Sequence, residues 1–408
     1  MIQQVKQYIL DNWDKTIREY PRDDGTLIGL PKSFTTPCAS GMFQEMYYWD
    51  TYFTNVGLIL SGRVDQAKNN VDNMIYLIEK YGKMPNGNRT YYLNRSQPPF
   101  LSQMVREVYD ITGDTYWLSI AYDALEKEWD YWQSERITFS GLNHYAGEAT
   151  TPEVVEEYGL LFCERAGLAK PEDPEVLKQY CDSMLALAES GWDCNSRFAM
   201  DAHKWCPVDL NSLMYLMEEN MEYFRWELRK DAPWCEDAKD RRERMNRLMW
   251  NQERQVFCDY QYEKHQLGDV VSAAAFYPLF VGMATQEQAD LTVKSLPLLE
   301  CEFGVACCEN RPDLYHLQWD YPHGWACLQY IVIQGLLKYG YREDALRIAR
   351  KYVDTVARNF AQTGNLWEKY NVVTGQVSVT QEYETPPMMG WSAGVFLYCE
   401  KLLEEENQ

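Results

Sequence analysis

The chain has 408 residues, a formal net charge of −22 and a pI near 4.7. That balance excludes nucleic acid and anionic membrane surfaces as partners, since both demand basic patches; it fits a neutral or cationic small ligand, and it also serves simply to keep a protein soluble. No Gly/Ser-rich, Pro-rich or charge-block linker interrupts the sequence, and no run of about 18 apolar residues exists, so residues 1–408 read as a single domain with a large core and no membrane span.

Taken in chain order, Met1–Tyr8 lacks the basic segment and apolar core of an export signal, and the expected compartment is the cytoplasm. Residues 65–80 place Val71, Met74, Ile75 and Ile78 on one helical face, with Gly82 as the C-cap. Residues 101–112 and 114–133 read as two helices broken at Thr112-Gly113-Asp114. Pro174 stands at a first helical position after Asp173, and that helix stops near Gly191. Further helical stretches run through about 209–229, 236–251, 269–282, 323–339, 343–360 and 391–404. Strand-like alternation is short and local, near 255–263 and 376–383. Paired helices without a period-locked repeat favour a closed toroid of helical hairpins over an open solenoid. The expectation is an all-α protein with small hairpin excursions.

Between the helices lie loops of another character, 31–52, 84–99, 139–153, 190–209, 309–325 and 364–391, rich in Gly, Pro, Asn and aromatics. The chain holds 30 Tyr and 14 Trp, and ring faces beside carboxylates suit a sugar, whose C–H patches stack while its hydroxyls are hydrogen-bonded. Asp50, Glu153, Asp193, Glu368 and Glu382 all sit in such settings. Glycoside hydrolysis needs two carboxyl groups, one protonated to donate to the leaving oxygen and one ionised to activate water or attack directly. Each of these acids taken alone is more often a capping or salt-bridged residue than a catalytic one. Competing chemistries have less support. The chain has no GxSxG elbow, Walker loop or dinucleotide glycine fingerprint. Its 5 His are dispersed, and its 12 Cys show no CxxC pair, so reduced thiols and no structural zinc are expected.

Several ordered segments resemble the trehalase family of glycoside hydrolases. Phe43-Gln-Glu-Met-Tyr-Tyr-Trp-Asp-Thr-Tyr52 is similar to its first signature, and Gln318-Trp-Asp-Tyr-Pro-His-Gly-Trp325 to its second. Between them, Met84-Pro-Asn-Gly-Asn-Arg-Thr-Tyr-Tyr-Leu-Asn-Arg-Ser-Gln-Pro-Pro99, Glu189-Ser-Gly-Trp-Asp-Cys-Asn-Ser-Arg197 and Pro207-Val-Asp-Leu-Asn211 follow in the family's order, and Glu368-Lys-Tyr370 and Glu382 with Gly390-Trp391 match its C-terminal motifs.

The resemblance implies an (α/α)6 barrel and an inverting mechanism without metal or other cofactor. Asp193 would be the general acid and Glu368 the general base, their carboxyl groups roughly 6.5–9.5 Å apart to admit a water. Phe43, Trp49, Asp50, Asn86, Arg95, Gln97, Glu153, Trp192, Gln318, Trp319, Asp320, Glu382 and Trp391 would bind a small neutral sugar. Trehalose is the leading substrate. Another α-linked disaccharide, a glucosyl-polyol or a glucosyl-acid is the alternative; behind these stand a non-catalytic sugar-binding protein and a phosphate-dependent enzyme on the same barrel. The oligomeric state is not encoded in any of these motifs.

Departures from the pattern carry expectations of their own. The family's first signature has Arg before its Phe, where this chain has Met42. An Arg two residues ahead of Glu153 is replaced by Thr151, and the second signature ends Trp325-Ala-Cys327 in place of Trp-Ala-Pro. One cation, Arg95, is then expected where the family has three. Such a loss would alter the outer sugar site and raise the pKa values of Asp193 and Glu368.

Overall fold

The computed structural model describes residues 1–406 except 199, 231–234, 315–316 and 380–383. Its helices are α1 (Ile2–Asn12), α2 (Tyr48–Leu60), α3 (Val64–Tyr81), α4 (Leu101–Thr112), α5 (Thr115–Glu135), α6 (Pro152–Ala166), α7 (Pro174–Ser190), α8 (Val208–Glu227), α9 (Cys235–Leu248), α10 (Tyr277–Phe280), α11 (Gln286–Lys294), α12 (Ala326–Lys338), α13 (Arg342–Thr363) and α14 (Gly390–Glu406). Local chemistry accounts for many of the ends. Asp114 accepts a hydrogen bond from Trp117 N at 3.0 Å to start α5, and Asp173 accepts from Glu175 N at 2.9 Å with Pro174 behind it to start α7. Gly82 closes α3 in the left-handed conformation, its amide bonded to Ile78 O at 2.7 Å.

Packing runs in a ring that closes. α2 lies on α4, α4 on α8, α8 on α10, α10 on α12, α12 on α14, and α14 returns to α2. Outside it, α3 and α5 back α2, α4 and α8, while α9 backs α8 and α13 backs α12 and α14. This is the (α/α)6 barrel expected from the sequence. The seam between α14 and α2 is closed by glycine: a Cβ on Gly394 would lie 1.9 Å from Phe53 O, and one on Gly57 would lie 2.6 Å from the Gly394 Cα. No larger residue permits that approach. α6 and α7 form a hairpin of their own, packed chiefly on each other.

Four stretches differ from the sequence reading. The segment 269–282 is a 3₁₀ turn, Ala273–Phe276, followed by the single turn of α10, because the Ala273 amide bonds across to Cys307 O at 2.8 Å. The segment 323–339 begins as a strand, His323–Trp325, paired antiparallel with Lys369–Asn371, and turns helical only at Ala326. α2 begins at Tyr48, inside what reads as a loop, and α6 occupies a stretch to which no helix was assigned. The alternation near 255–263 corresponds to the short strands Val256–Phe257 and Tyr260–Gln261; of the other, near 376–383, Val377 forms an isolated bridge with Tyr370, and residues 380–383 lie outside the described residues.

Candidate active site

One cavity of about 360 Å³ lies where the motif loops meet, a size suited to a small ligand. Asp50, Asp193 and Glu368 line it together with Phe43, Trp49, Asn86, Arg95, Gln97, Trp319 and Trp391. Each is delivered by a separate device.

Asp50 is buried in the first turn of α2. Asp193 follows the end of α7, where Gly191 takes φ +71° and lies so close to Trp49 that a Cβ would be 2.7 Å from the indole. The acid loop is thereby pressed against the aromatic floor. Glu189 anchors the same loop from below. Its buried carboxylate accepts from Arg136 Nε at 2.9 Å, Ser96 N at 2.8 Å, Ala146 N at 2.8 Å and Tyr131 OH at 3.1 Å. Arg197 ties the loop to the rest of the protein through Asp209 at 2.6 Å and Asp259 at 2.8 Å, with its guanidinium over the Trp192 ring at 4.3 Å. The Pro207–Asn211 motif is therefore scaffold, since Asp209 serves Arg197.

Glu368 is buried beside the strand Lys369–Asn371, which the strand His323–Trp325 pairs and so brings to the second signature. The Trp391 indole N–H donates to Glu368 O at 3.1 Å. Lys369 Nζ sits 2.5 Å from a Glu368 carboxylate oxygen and 4.8 Å from the Trp325 ring centroid. The floor between the acids is indole. Trp319 stacks on Trp325 at 3.8 Å, Trp192 lies against Trp319 at 5.5 Å, and Trp49 and Trp391 pack at 5.8 Å.

The loop 84–97 supplies the polar rim. Asn86 and Arg95 are cross-linked through backbone (Asn86 N to Arg95 O, 3.0 Å), and Gln97 Oε1 accepts from Trp49 N at 3.3 Å. Asn86 Nδ2 and Arg95 Nε are buried without a protein acceptor, and so is Trp319 Nε1. Buried donors left unpaired cost free energy unless something accepts from them, and a hydroxyl-rich ligand in this cavity would do so.

The acids differ in setting. Burial raises the Asp50 carboxyl to about 8, helped by the nearby charges of Glu368 and Asp193. Asp193 keeps partial access through the cavity, yet desolvation by the surrounding protein still raises its pKa, against the opposing charges of Arg165, Arg95 and Lys369. That list corrects the expectation of a single cation: Arg165, from α6, and Lys369 stand with Arg95. Met42 is 43% exposed and lines a different, neighbouring cavity.

Four of the expected site residues do not line the cavity. Trp192 and Gln318 are buried behind it. Asp320 is buried and accepts from Ser196 N at 2.9 Å, Ser196 Oγ at 2.6 Å and Leu317 N at 2.9 Å, a turn-fixing carboxylate. Glu153 is exposed in the first turn of α6, one turn before the residue that does line the cavity, Glu157. Glu382 lies outside the described residues. Sequence reasoning missed Tyr47, Tyr91, Tyr92, Glu157, Tyr158 and Arg165. For the last three the signal was a Pro at the first turn followed by residues spaced 157, 158, 161, 165 on one helical face. Among the described residues, no group of His, Cys, Asp and Glu could hold a metal ion, and no helix is long and apolar enough to cross a membrane.

Residues 1–404 match the Trehalase family. Among solved structures, the neutral trehalase from Saccharomyces cerevisiae is 29% identical, with 97% of this chain and 80% of that chain covered at a TM-score of 0.78. The mannosylglycerate hydrolase from Thermus thermophilus in complex with glucose is 15% identical, with 97% of this chain and 99% of that chain covered at a TM-score of 0.67; it shares the fold.

Proposed function

The chain belongs to the trehalase family and is a glycoside hydrolase; on that premise we propose that it hydrolyses a small α-glucoside, trehalose, with inversion at the anomeric carbon. In this reading Asp193 carries the proton that goes to the departing glycosidic oxygen. Glu368 takes a proton from a water that attacks the anomeric carbon from the opposite face. The bond from that carbon to the leaving oxygen breaks as the new C–O bond forms, and β-glucose is released with the second sugar.

One observation carries the reading. Asp193 and Glu368 line a single cavity in different settings: desolvation is the largest influence on Asp193 and raises its pKa, whereas Glu368 is ion-paired directly with the Lys369 ammonium at 2.5 Å. Asp50, with its pKa raised to about 8, is a neutral carboxylic acid at pH 7 and a hydrogen-bond donor to a sugar hydroxyl. The indole floor offers stacking area, and Asn86 Nδ2 and Arg95 Nε await acceptors. The described cysteines are free thiols, which suits a reducing cytoplasm.

The test is proton NMR of the anomeric signals during turnover of trehalose. β-Glucose and α-glucose should appear together in equal amounts before mutarotation, the β anomer from the carbon attacked by water and the α anomer from the departing sugar. Release of α-glucose alone would remove the inverting assignment. A second reading, hydrolysis of a different α-glucoside, is favoured by Thr151, the N-cap of α6, standing where the family carries an arginine. Silence on trehalose with β-glucose from a glucosyl-polyol or glucosyl-acid would select it.

A further inference from the structure

We propose that Arg165 is the positioning residue of the general acid, a cation supplied by α6 that orients and tunes Asp193 in place of the arginines missing at positions 42 and 151. The inference rests on the reading of Asp193 as the acid.

The geometry begins with α6. Glu157, Tyr158, Leu161 and Arg165 fall on one face of that helix and line the cavity together. At the far end of this stripe, Arg165 Nη1 reaches Cys194 Sγ at 3.5 Å, the residue directly after Asp193. In its middle, the Tyr158 hydroxyl accepts from Arg95 Nη1 at 2.9 Å, and the Arg95 guanidinium lies 5.4 Å from the Tyr158 ring centroid. One helix thus fixes Arg165 and braces Arg95. Arg165 and Met184 also border a second cavity of about 270 Å³ on the other side, so the guanidinium lies in the partition between the two.

The two altered motif positions cannot do this work. Met42 is an uncharged side chain lining a neighbouring cavity, and Thr151 is spent as the N-cap of α6, its Oγ1 accepting from Val154 N at 3.4 Å. Position 151 lies about 21 Å along the helix from Arg165 at 1.5 Å per residue. The charged groups facing Asp193 are Arg165 from α6, Arg95 from the polar rim, Lys369 from the strand and, as a carboxyl, Asp50 from α2. Arg165 is the largest of the opposing charges. Glu368 acts on Asp50 from the far side.

The test is the pH dependence of kcat/KM for Arg165→Gln and Arg165→Lys in the full chain. Two substrates are needed: the α-glucoside established by the anomer assay, and α-glucosyl fluoride, whose fluoride leaves without a proton from the acid. Removing a cation raises the pKa of the acid, so in Arg165→Gln the alkaline limb should move up by roughly one pH unit while kcat/KM falls about tenfold. The loss on α-glucosyl fluoride should stay within about threefold, and Arg165→Lys should return the limb toward its original position.

Asp193→Asn is run alongside. If it loses the glucoside but retains the fluoride, Asp193 is the acid; an unmoved limb in Arg165→Gln then overturns the role of Arg165 alone. If Asp193→Asn spares the glucoside, or loses both substrates equally, the acid assignment falls and this inference with it. Should Arg165→Gln fail to fold, Arg165→Lys decides: the charge-conserving variant must hold the limb within about 0.3 pH unit of the parent, and a larger displacement counts against the proposal.

Discussion

The cavity has two halves built on different principles. Its floor is made of motif residues: Trp49, Trp319, Trp325 and Trp391 packed edge and face, with Asp50 and Glu368 buried among them and Glu368 held by a two-stranded pairing. Its wall is α6, a helix that packs chiefly on α7 and offers part-buried side chains. On the proposed reading, the floor holds the sugar whose anomeric bond is broken and the wall faces the leaving group. A floor determined by close packing tolerates little change, whereas a helix leaning over the mouth can be rewritten without disturbing the barrel. The departure at Thr151 is of the second kind.

The largest effects should follow from removing the chemistry on the floor. Asp193→Asn and Glu368→Gln are each expected to lower kcat on the hydrolysed glucoside by about 10³-fold or more, with the fold intact by circular dichroism. A residual rate within tenfold of the parent for either would break the assignment of that residue. Gly191→Ala tests how tightly the acid is pinned to the floor. At φ +71°, with a Cβ 2.7 Å from the Trp49 indole, the methyl must displace either the loop or the ring. The expected cost is about 2–3 kcal/mol, read as a lower denaturation midpoint with unchanged m-value. An unchanged midpoint would mean that the floor yields where packing says it should not.

The support beneath the floor titrates. Glu128 is fully buried, with the Tyr48 hydroxyl at 2.5 Å, and burial raises its pKa from 4.5 to about 7. Below pH 4.5 the group is protonated in both native and unfolded chains and imposes no penalty. Between pH 4.5 and 7 the unfolded chain ionises first, so native stability falls as pH rises, and above 7 the deficit is constant. Glu128→Gln removes the titration. Its advantage over the parent should grow by about 1–3 kcal/mol between pH 4.5 and 7.5, visible as a widening difference in Tm. Parallel Tm curves would show that Glu128 keeps its ordinary pKa.

Sequence and structure agree most where a pattern is set by local chemistry. Helices with one wet face, such as α3 with Val71, Met74, Ile75 and Ile78, and helix ends with a side-chain cap or glycine, such as Asp114, Asp173 and Gly82, are legible because their causes lie within a few residues. α2 is not, since it is buried over most of its length and has no polar face to reveal a period, and its first turn lies inside an aromatic-rich motif that reads as a loop. The strand at His323–Trp325 is invisible for a different reason: its partner, Lys369–Asn371, is more than forty residues downstream. In the site, Asp50, Asp193 and Glu368 were legible through their aromatic neighbours. Arg165 was not, because its relevance depends on where α6 leans.

On the wall away from Arg165, changes should be felt by the leaving group more than by the chemistry. Tyr158→Phe removes one of the two acceptors of Arg95 Nη1, leaving Asn94 Oδ1 at 2.8 Å, while preserving the ring beneath its guanidinium. The loss of one such hydrogen bond is worth about 1 kcal/mol, so KM should rise roughly fivefold with kcat nearly unchanged. A fall in kcat with constant KM would instead place Arg95, and the wall with it, in the chemical step.

Glu153 marks where the wall ends. Sequence resemblance makes it a pocket acid; the structure leaves it exposed in the first turn of α6, its pKa lowered by its own backbone amide and by Thr151. A carboxylate there complements the helix N-terminus and lies outside the residues that line the cavity. Glu153→Ala should therefore change kcat/KM by less than about twofold and Tm by about a degree at most. Glu157→Ala, one turn further along and lining the cavity, should raise KM by several-fold. If the two variants exchange these behaviours, α6 is rotated by about one turn's worth of register relative to the cavity in the working enzyme, and the division between floor and wall must be redrawn around Glu153.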